Sequence, residues 1–261
     1  MNRNSATTLL ILLALPGFAS ALHAQSSWQW EITPYLWGSD IGLDVSINDE
    51  PVLGGTVSFS DLVDKLDFAF SLHTEGMKGS NGILIDFMWI DLGDRVTSDG
   101  SGGAPVPPGT QLKTDVETLL LELGGIYDPG DGEGFALLYG ARITDVTQKF
   151  DITLPLPMGP STRVDTASTL IDGFIGGRYT GQISESWGWR LRGDIGAGDS
   201  DAVLNAVLGF AWAFGQNGKY GLNFAYRYMN MEFGETSDGV NVETEMEFSG
   251  PMVGFRISPG R

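Results

Sequence analysis

Cysteine is absent from this chain of 261 residues, so neither a disulfide nor a thiolate site can form. Histidine occurs twice, as His23 and His73, and a zinc centre built from one or two imidazoles without cysteine is implausible. Long apolar runs are missing as well. The one compact run, residues 7–15, is far shorter than the roughly 20 residues a membrane-crossing helix needs. Basic residues are scarce: 15 Lys and Arg stand against 33 Asp and Glu, a net charge of −18. A nucleic-acid partner would require a basic stripe, and none is expected.

The first residues read as a leader. Arg3 precedes the apolar run, and Ala19, Ala21 and Ala24 supply small residues for cleavage. Residues 1–24 are therefore expected to be a signal peptide, cut after Ala21 or Ala24. Without a cysteine, no lipid anchor can follow. Residues 25–261 are of a size for one all-β domain. Any membrane crossing by this chain falls to strands.

Strands are what the rest offers, most plainly in residues 187–228. Trp187, Trp189, Leu191 and Ile195 alternate with Gly188, Arg190, Arg192 and Asp194. Leu204, Leu208, Phe210, Trp212 and Phe214 then alternate with Asn205, Gly209 and Ala211. A third run sets Tyr220, Leu222, Phe224, Tyr226 and Tyr228 against Asn223, Ala225 and Arg227. Period two means strands, with successive side chains on opposite faces. One face is large and apolar, the other small, polar or arginine-bearing. Lipid outside and a wet lumen inside is the matching arrangement.

The same reading gives ten strands near residues 28–37, 67–77, 82–92, 114–127, 135–150, 169–180, 187–195, 204–214, 220–228 and 240–257. Eight and twelve are the neighbouring even counts. Breaks after even-numbered strands are short, near Gly79, Gly130, Gln182 and Gly218. Three breaks on the other side are long, residues 38–66, 93–113 and 154–163, with a short helix capped by Ser60 expected in the first. Short turns at one end, longer loops at the other and an even count describe a closed antiparallel up-and-down transmembrane barrel. Both termini then lie at the short-turn, periplasmic end.

Several stretches resemble a broad family of uncharacterised Gram-negative outer-membrane β-barrel proteins. They are Asp172-Gly-Phe-Ile-Gly-Gly-Arg178-Tyr, Trp189-Arg-Leu-Arg-Gly193-Asp194-Ile-Gly196, Phe224-Ala-Tyr226-Arg227-Tyr228-Met and Ser249-Gly250-Pro251-Met-Val-Gly254-Phe255. Phe59-Ser-Asp-Leu-Val-Asp-Lys-Leu-Asp-Phe68 adds to the likeness. The resemblance implies an outer-membrane location, contact with lipid and lipopolysaccharide, and delivery by the outer-membrane assembly machinery. It names no activity. Such barrels usually end on an aromatic residue, whereas here Val253, Phe255 and Ile257 alternate and Ser258-Pro-Gly-Arg261 follows.

Alternation places Glu31, His73, Glu75, Asp86, Glu122, Arg142, Asp172, Arg178, Arg190, Arg192, Asp194 and Arg227 toward the lumen, with Glu243, Glu245 and Glu247 as further candidates. Arginine and carboxylate in comparable number are expected to pair and plug the barrel middle, since side chains nearly fill a bore of this strand count. A narrow channel with charged rows is the alternative. Trp28, Trp30, Phe87, Trp89, Trp189, Phe210, Trp212, Phe224 and Tyr226 are expected to face lipid or its interface. Asp40, Asp44, Asp49, Glu50, Asp61, Asp64, Asp94, Asp99, Glu235 and Asp238 read as loop acids, soluble in themselves or bridged to head groups by divalent cations.

Catalysis and cofactors are not expected. His73 beside Glu75 reads as a hydrogen-bonded structural residue, and residues 128–133 as a turn lacking calcium-loop spacing. The expected function is a structural outer-membrane barrel or a narrow channel for small solutes and ions. A receptor or adhesion barrel acting through its acidic external loops is the first alternative, and a soluble lipocalin-like ligand binder the second.

Overall fold

The computed structural model describes residues 28–48, 50–97, 109–130, 132–154, 162–237 and 240–259. The expected leader, Asp49, Asp99 and Asp238 lie outside them. Ten strands form the wall: β1 (Gln29–Trp37), β4 (Leu66–Lys78), β5 (Asn81–Thr97), β6 (Gln111–Tyr127), β7 (Gly134–Thr153), β8 (Thr162–Gln182), β9 (Trp187–Gly198), β10 (Ala202–Phe214), β11 (Tyr220–Ser237) and β12 (Val240–Ile257). Each pairs antiparallel with its neighbour, and β1 pairs with both β4 and β12, which closes the ring. Among the described residues no helix is long and apolar enough to cross a membrane.

The first long break is not a plain loop. It forms a hairpin, β2 (Asp40–Ile47) and β3 (Glu50–Val57), and β2 pairs with β12 from Val242 to Ser249. The hairpin thus extends the sheet past the point where β1 ends. Its helix, α1 (Phe59–Val63), is capped by Ser58 rather than Ser60, with the Asp61 N–H directed at the Ser58 hydroxyl. The Ser58 to Asp61 spacing satisfies a first-turn donor, which starts the helix two residues early.

Several strands outrun the alternation that revealed them. β5 continues to Thr97, β8 begins at Thr162 and β11 runs to Ser237. Polar residues there lose the two-sided pattern, yet pairing still satisfies their backbone groups. Asp40, Asp44, Glu50, Asp94 and Glu235, read as loop acids, therefore sit in strands.

At the other end the turns are tight. Lys78 and Asn81 are paired across two residues, with Gly79 at φ 55°. Asn217, at φ 55°, and Gly218, at φ 67°, make the turn between β10 and β11. Left-handed backbone of this kind favours glycine and asparagine.

The outer face is apolar around the ring. Ile83 and Ile85 on β5, Leu123 on β6, Tyr139 on β7, Ile171 and Ile175 on β8, and Leu191 and Ile195 on β9 are all exposed. Leu208, Phe210 and Trp212 on β10, Phe224 and Tyr226 on β11, and Val253 and Phe255 on β12 complete the band. Aromatic pairs brace it from outside: Tyr179 stacks on Trp189 at 5.7 Å and Trp187 on Trp212 at 6.2 Å. Trp28 stacks on Trp30 at 5.8 Å, and Phe87 lies 6.2 Å from Phe70.

Because β1 and β12 close the ring without the hairpin, residues 41–57 are dispensable for the barrel. Replacing them by a short Gly-Ser link should leave a folded species with the same heat-modifiable gel mobility and a melting temperature close to that of the parent. Loss of that compact species would show that closure depends on β2 and β3.

Candidate functional site

The residues inside the ring form three layers. At the long-loop end Tyr35, Trp37, Met88, Leu120, Val203, Met229, Met231 and Phe248 pack as a buried apolar cluster. The middle is charged. Toward the short turns Leu84, Ile126, Ala136, Leu138 and Phe174 pack on one wall, and a cavity of about 530 Å³ opens beside them. An interior polar along its whole length, expected from the alternation, is thus corrected. Small aliphatics and methionines occupy the same faces as the charges, because a ten-stranded bore is narrow enough for side chains to fill.

Register explains how the charged layer forms. Thr33, His73, Asp86, Glu122, Arg142 and Asp172 are successive cross-strand partners over six strands. On the facing wall Arg178 pairs with Arg192, Arg192 with Val207, and Val207 with Arg227. Asp86 beside Glu122, or Arg178 beside Arg192, would be destabilising if left alone. The remedy comes from Arg142 on the next strand and from arginines across the lumen.

Glu122 is the hub. Arg142 donates to its Oε1 from Nε at 2.9 Å and from Nη2 at 2.7 Å. Arg192 donates to Oε2 at 2.9 Å and Arg227 to Oε1 at 3.2 Å. Asp194 accepts from Arg142, from Arg192 and from the Asn205 amide, each at 2.7 Å. Arg227 in turn donates to Asn205 Oδ1 at 2.9 Å and lies 4.8 Å over the Trp37 ring. The guanidiniums of Arg142 and Arg192 flank Phe174 at 5.4 and 5.7 Å. Gly124 makes room for that ring, since a Cβ there would come within 3.1 Å of it. Arg142, Glu122, Asp172 and Asn205 have no exposed surface at all.

A second group lies on the cavity side. Arg178 Nη1 reaches both oxygens of Glu75 at 2.7 Å. His73 bridges Glu75 Oε1 at 2.9 Å and Asp86 Oδ2 at 2.8 Å, and the Tyr35 hydroxyl donates to Asp86 Oδ1 at 2.8 Å. Both imidazole nitrogens are thus engaged inside the barrel. Arg190 is looser, 3.4 Å from Glu75 and 3.9 Å from Glu31, and Arg256 lies 3.6 Å from Glu31.

All twelve residues first assigned to the lumen lie on the inward face, nine of them buried. Asp172 departs in role: it accepts from the Ser200 N–H at 2.8 Å and hydroxyl at 2.9 Å, pinning the turn after β9. Glu243, Glu245 and Glu247 point outward and are exposed, which corrects their candidacy. They continue the parity of Val253 and Phe255 along an unbroken β12, while Phe248 takes the inward side. Tyr35, Trp37 and Arg256 went unassigned. Tyr35 and Trp37 continue the alternation of Glu31, and Arg256 alternates with Val253, Phe255 and Ile257, so the signal was present.

Among the described residues no group of three or more acidic or histidine side chains is placed to hold a metal ion. Asp128 accepts from the Gly130 N–H at 3.0 Å, which is turn chemistry.

No family model matches the chain, and no curated protein does either. Solved structures of outer-membrane barrels do match. The attachment invasion locus protein Ail of Yersinia pestis, in complex with the heparin analogue sucrose octasulfate, aligns at TM-score 0.31 and 11% identity, over 86% of this chain and 98% of that one. The outer membrane protease OmpT of Escherichia coli aligns at 0.41 and 7%, over 88% and 96%. The translocator domain of the autotransporter NalP of Neisseria meningitidis aligns at 0.35 and 12%, over 92% and 91%. All three TM-scores lie below 0.5, too low to carry any conclusion about this chain.

Glu122 is the residue whose loss should cost most. Glu122→Ala leaves three guanidiniums short of their buried counter-ion and should lower folding stability by roughly 3–5 kcal/mol. Glu232→Ala, on the exposed outer face, should change it by less than about 0.5 kcal/mol. Urea titration of both variants in lipid vesicles measures the difference.

Proposed function

We propose that the chain is an integral outer-membrane barrel with a sealed lumen, structural in role, neither a diffusion pore nor an enzyme. The observation that carries this is the cross-section at Glu122, a carboxylate with no exposed surface on which Arg142 from the neighbouring strand and Arg192 and Arg227 from the facing wall converge. A water path through that level would require several ion pairs to part together. The apolar band supports burial in lipid, because a soluble barrel would turn Leu208, Phe224 and Val253 inward and the arginines outward. That ordering disfavours a lipocalin-like ligand binder. His73 is held on both nitrogens deep in the barrel, away from the rim where an extracellular substrate would arrive.

The short-turn end, holding both termini of the barrel, is then periplasmic, and the long-loop end external. Outward acids such as Glu243, Glu245 and Glu247 would stand near lipopolysaccharide, whose phosphates they can approach through divalent cations. A receptor role for this outer surface is the second reading, favoured by the β2–β3 hairpin that prolongs the sheet beyond the closed ring. Hairpin removal that abolished a partner's binding, with the barrel intact, would support it.

Two measurements test the main reading. Refolded protein in planar bilayers should show no unitary conductance in molar potassium chloride, and steady channel openings would overturn the sealed lumen. Leu208→Arg, at the centre of the outer band, should destabilise the protein in lipid by about 2–4 kcal/mol. No effect in vesicles would contradict lipid exposure of that face.

A further inference from the structure

We infer that the cavity at the short-turn end is a binding site for a small oxyanion-bearing solute, a carboxylate or phosphate ester with an apolar portion. The site goes beyond the sealed-barrel reading and holds whether or not the barrel conducts. Its volume of about 530 Å³ falls within the ordinary size of small-molecule pockets. It exists because the inward residues of three strands are small: Gly209, Ala211 and Ala213 on β10, Ala225 on β11 and Gly254 on β12. Charges of both signs line the rest of it: Glu31, Glu75 and Asp86 on β1, β4 and β5, and Arg178, Arg190, Arg192, Arg227 and Arg256 on β8, β9, β11 and β12.

Arginine is concentrated here against the trend of the chain. Six of its ten arginines lie inside the barrel although the net charge is −18, and five of those six line this cavity. Arg192 and Arg227 are committed to Glu122 by short bonds. Arg190 and Arg256 are not. Their separations from carboxylate oxygens, 3.4 to 3.9 Å, are longer than the 2.7–3.2 Å of an ordinary N–H···O hydrogen bond, and only Arg190 Nη1 still bonds, to Glu75 Oε1 at 3.4 Å. The Arg190 side chain is 35% exposed. Arg256 lies along the wall where Gly221, its cross-strand partner, has no side chain to displace it.

Four of the residues around the cavity also carry a buried polar atom left unpaired. Thr33 Oγ1, Arg178 Nε, Asn223 Oδ1 and Arg256 Nε are buried without a protein partner, and all four residues line the cavity. Thr33 and Arg178 are each only 5% exposed. Buried donors and acceptors of this kind are normally paired. Two guanidiniums straddling Glu31, with Leu84, Leu138, Val207 and Met252 nearby, suit a head that is anionic and a body that is not. Glu31 is the competitor: an entering oxyanion would take over the donors it now holds loosely.

The test uses the full barrel in lipid nanodiscs, where both ends are open to solution, with titration calorimetry of three probes: inorganic phosphate, hexanoate and hexylamine. Phosphate separates recognition of a free anion from recognition of an anion with an apolar tail. Hexanoate should bind, and hexylamine should not. The variant Arg190→Gln with Arg256→Gln should weaken hexanoate at least about tenfold, as expected for lost charge-assisted hydrogen bonds. Glu31→Gln should tighten it. Heat-modifiable gel mobility shows that each variant is folded. Absence of anion binding at millimolar concentration, equal binding by the double arginine variant, or weaker binding by Glu31→Gln would each overturn the assignment.

Discussion

Charge pairing across the lumen is the constraint to which the rest of this molecule conforms. Neighbouring strands bring Asp86 beside Glu122 and Arg178 beside Arg192, arrangements that repel within one wall. Relief comes from Arg142 on the strand next to Glu122 and from the opposite wall, where Arg192 and Arg227 reach Glu122 and Arg178 reaches Glu75. The closed ring is what brings the two walls within reach. Register, curvature and closure are therefore coupled, since slipping one strand by a residue would turn its charge into lipid and orphan its partners.

Side-chain size then divides the lumen along its axis. Methionines and aromatics fill the end near the long loops, where Trp37, Met88, Met229 and Phe248 meet. Glycine and alanine leave space near the short turns. Between them the ion network joins both regions, with Trp37 above receiving the Arg227 guanidinium and Phe174 holding Arg142 and Arg192. Cation and ring contribute attraction there without consuming a hydrogen-bond acceptor.

Much of this architecture was legible in the chain. Two-residue periodicity located all ten wall strands, because lipid outside and charge inside impose it residue by residue. It faded where strands rise past the apolar band: Asp94 in β5 and Glu235 in β11 belong to strands sustained by backbone pairing, with Thr114 and Val242, rather than by two-sided burial. The β2–β3 hairpin was harder still. Ile41, Leu43 and Val45 do alternate, yet Gly42, Asp44, Pro51, Gly54 and Gly55 speak for loop. Alternation also told which face each charge occupies, and could not tell which charge it meets. Glu75 and Arg178 lie 103 residues apart in sequence, and only the closed cylinder makes them neighbours.

The hairpin carries a consequence of its own. Hydrogen bonding runs in a full circle only where β1 stands between β12 and β4; beyond Trp37 the sheet passes from β12 into β2 and ends on β3. That rim is thus a cut cylinder with a seam, and β3 is its bare margin. Proline at position 51 removes an amide hydrogen, and the glycines at 54 and 55 weaken the strand's hold on an extended form. Both features discourage an incoming strand from zipping along the margin, so the molecule can leave its outer rim open without inviting its neighbours to stack there.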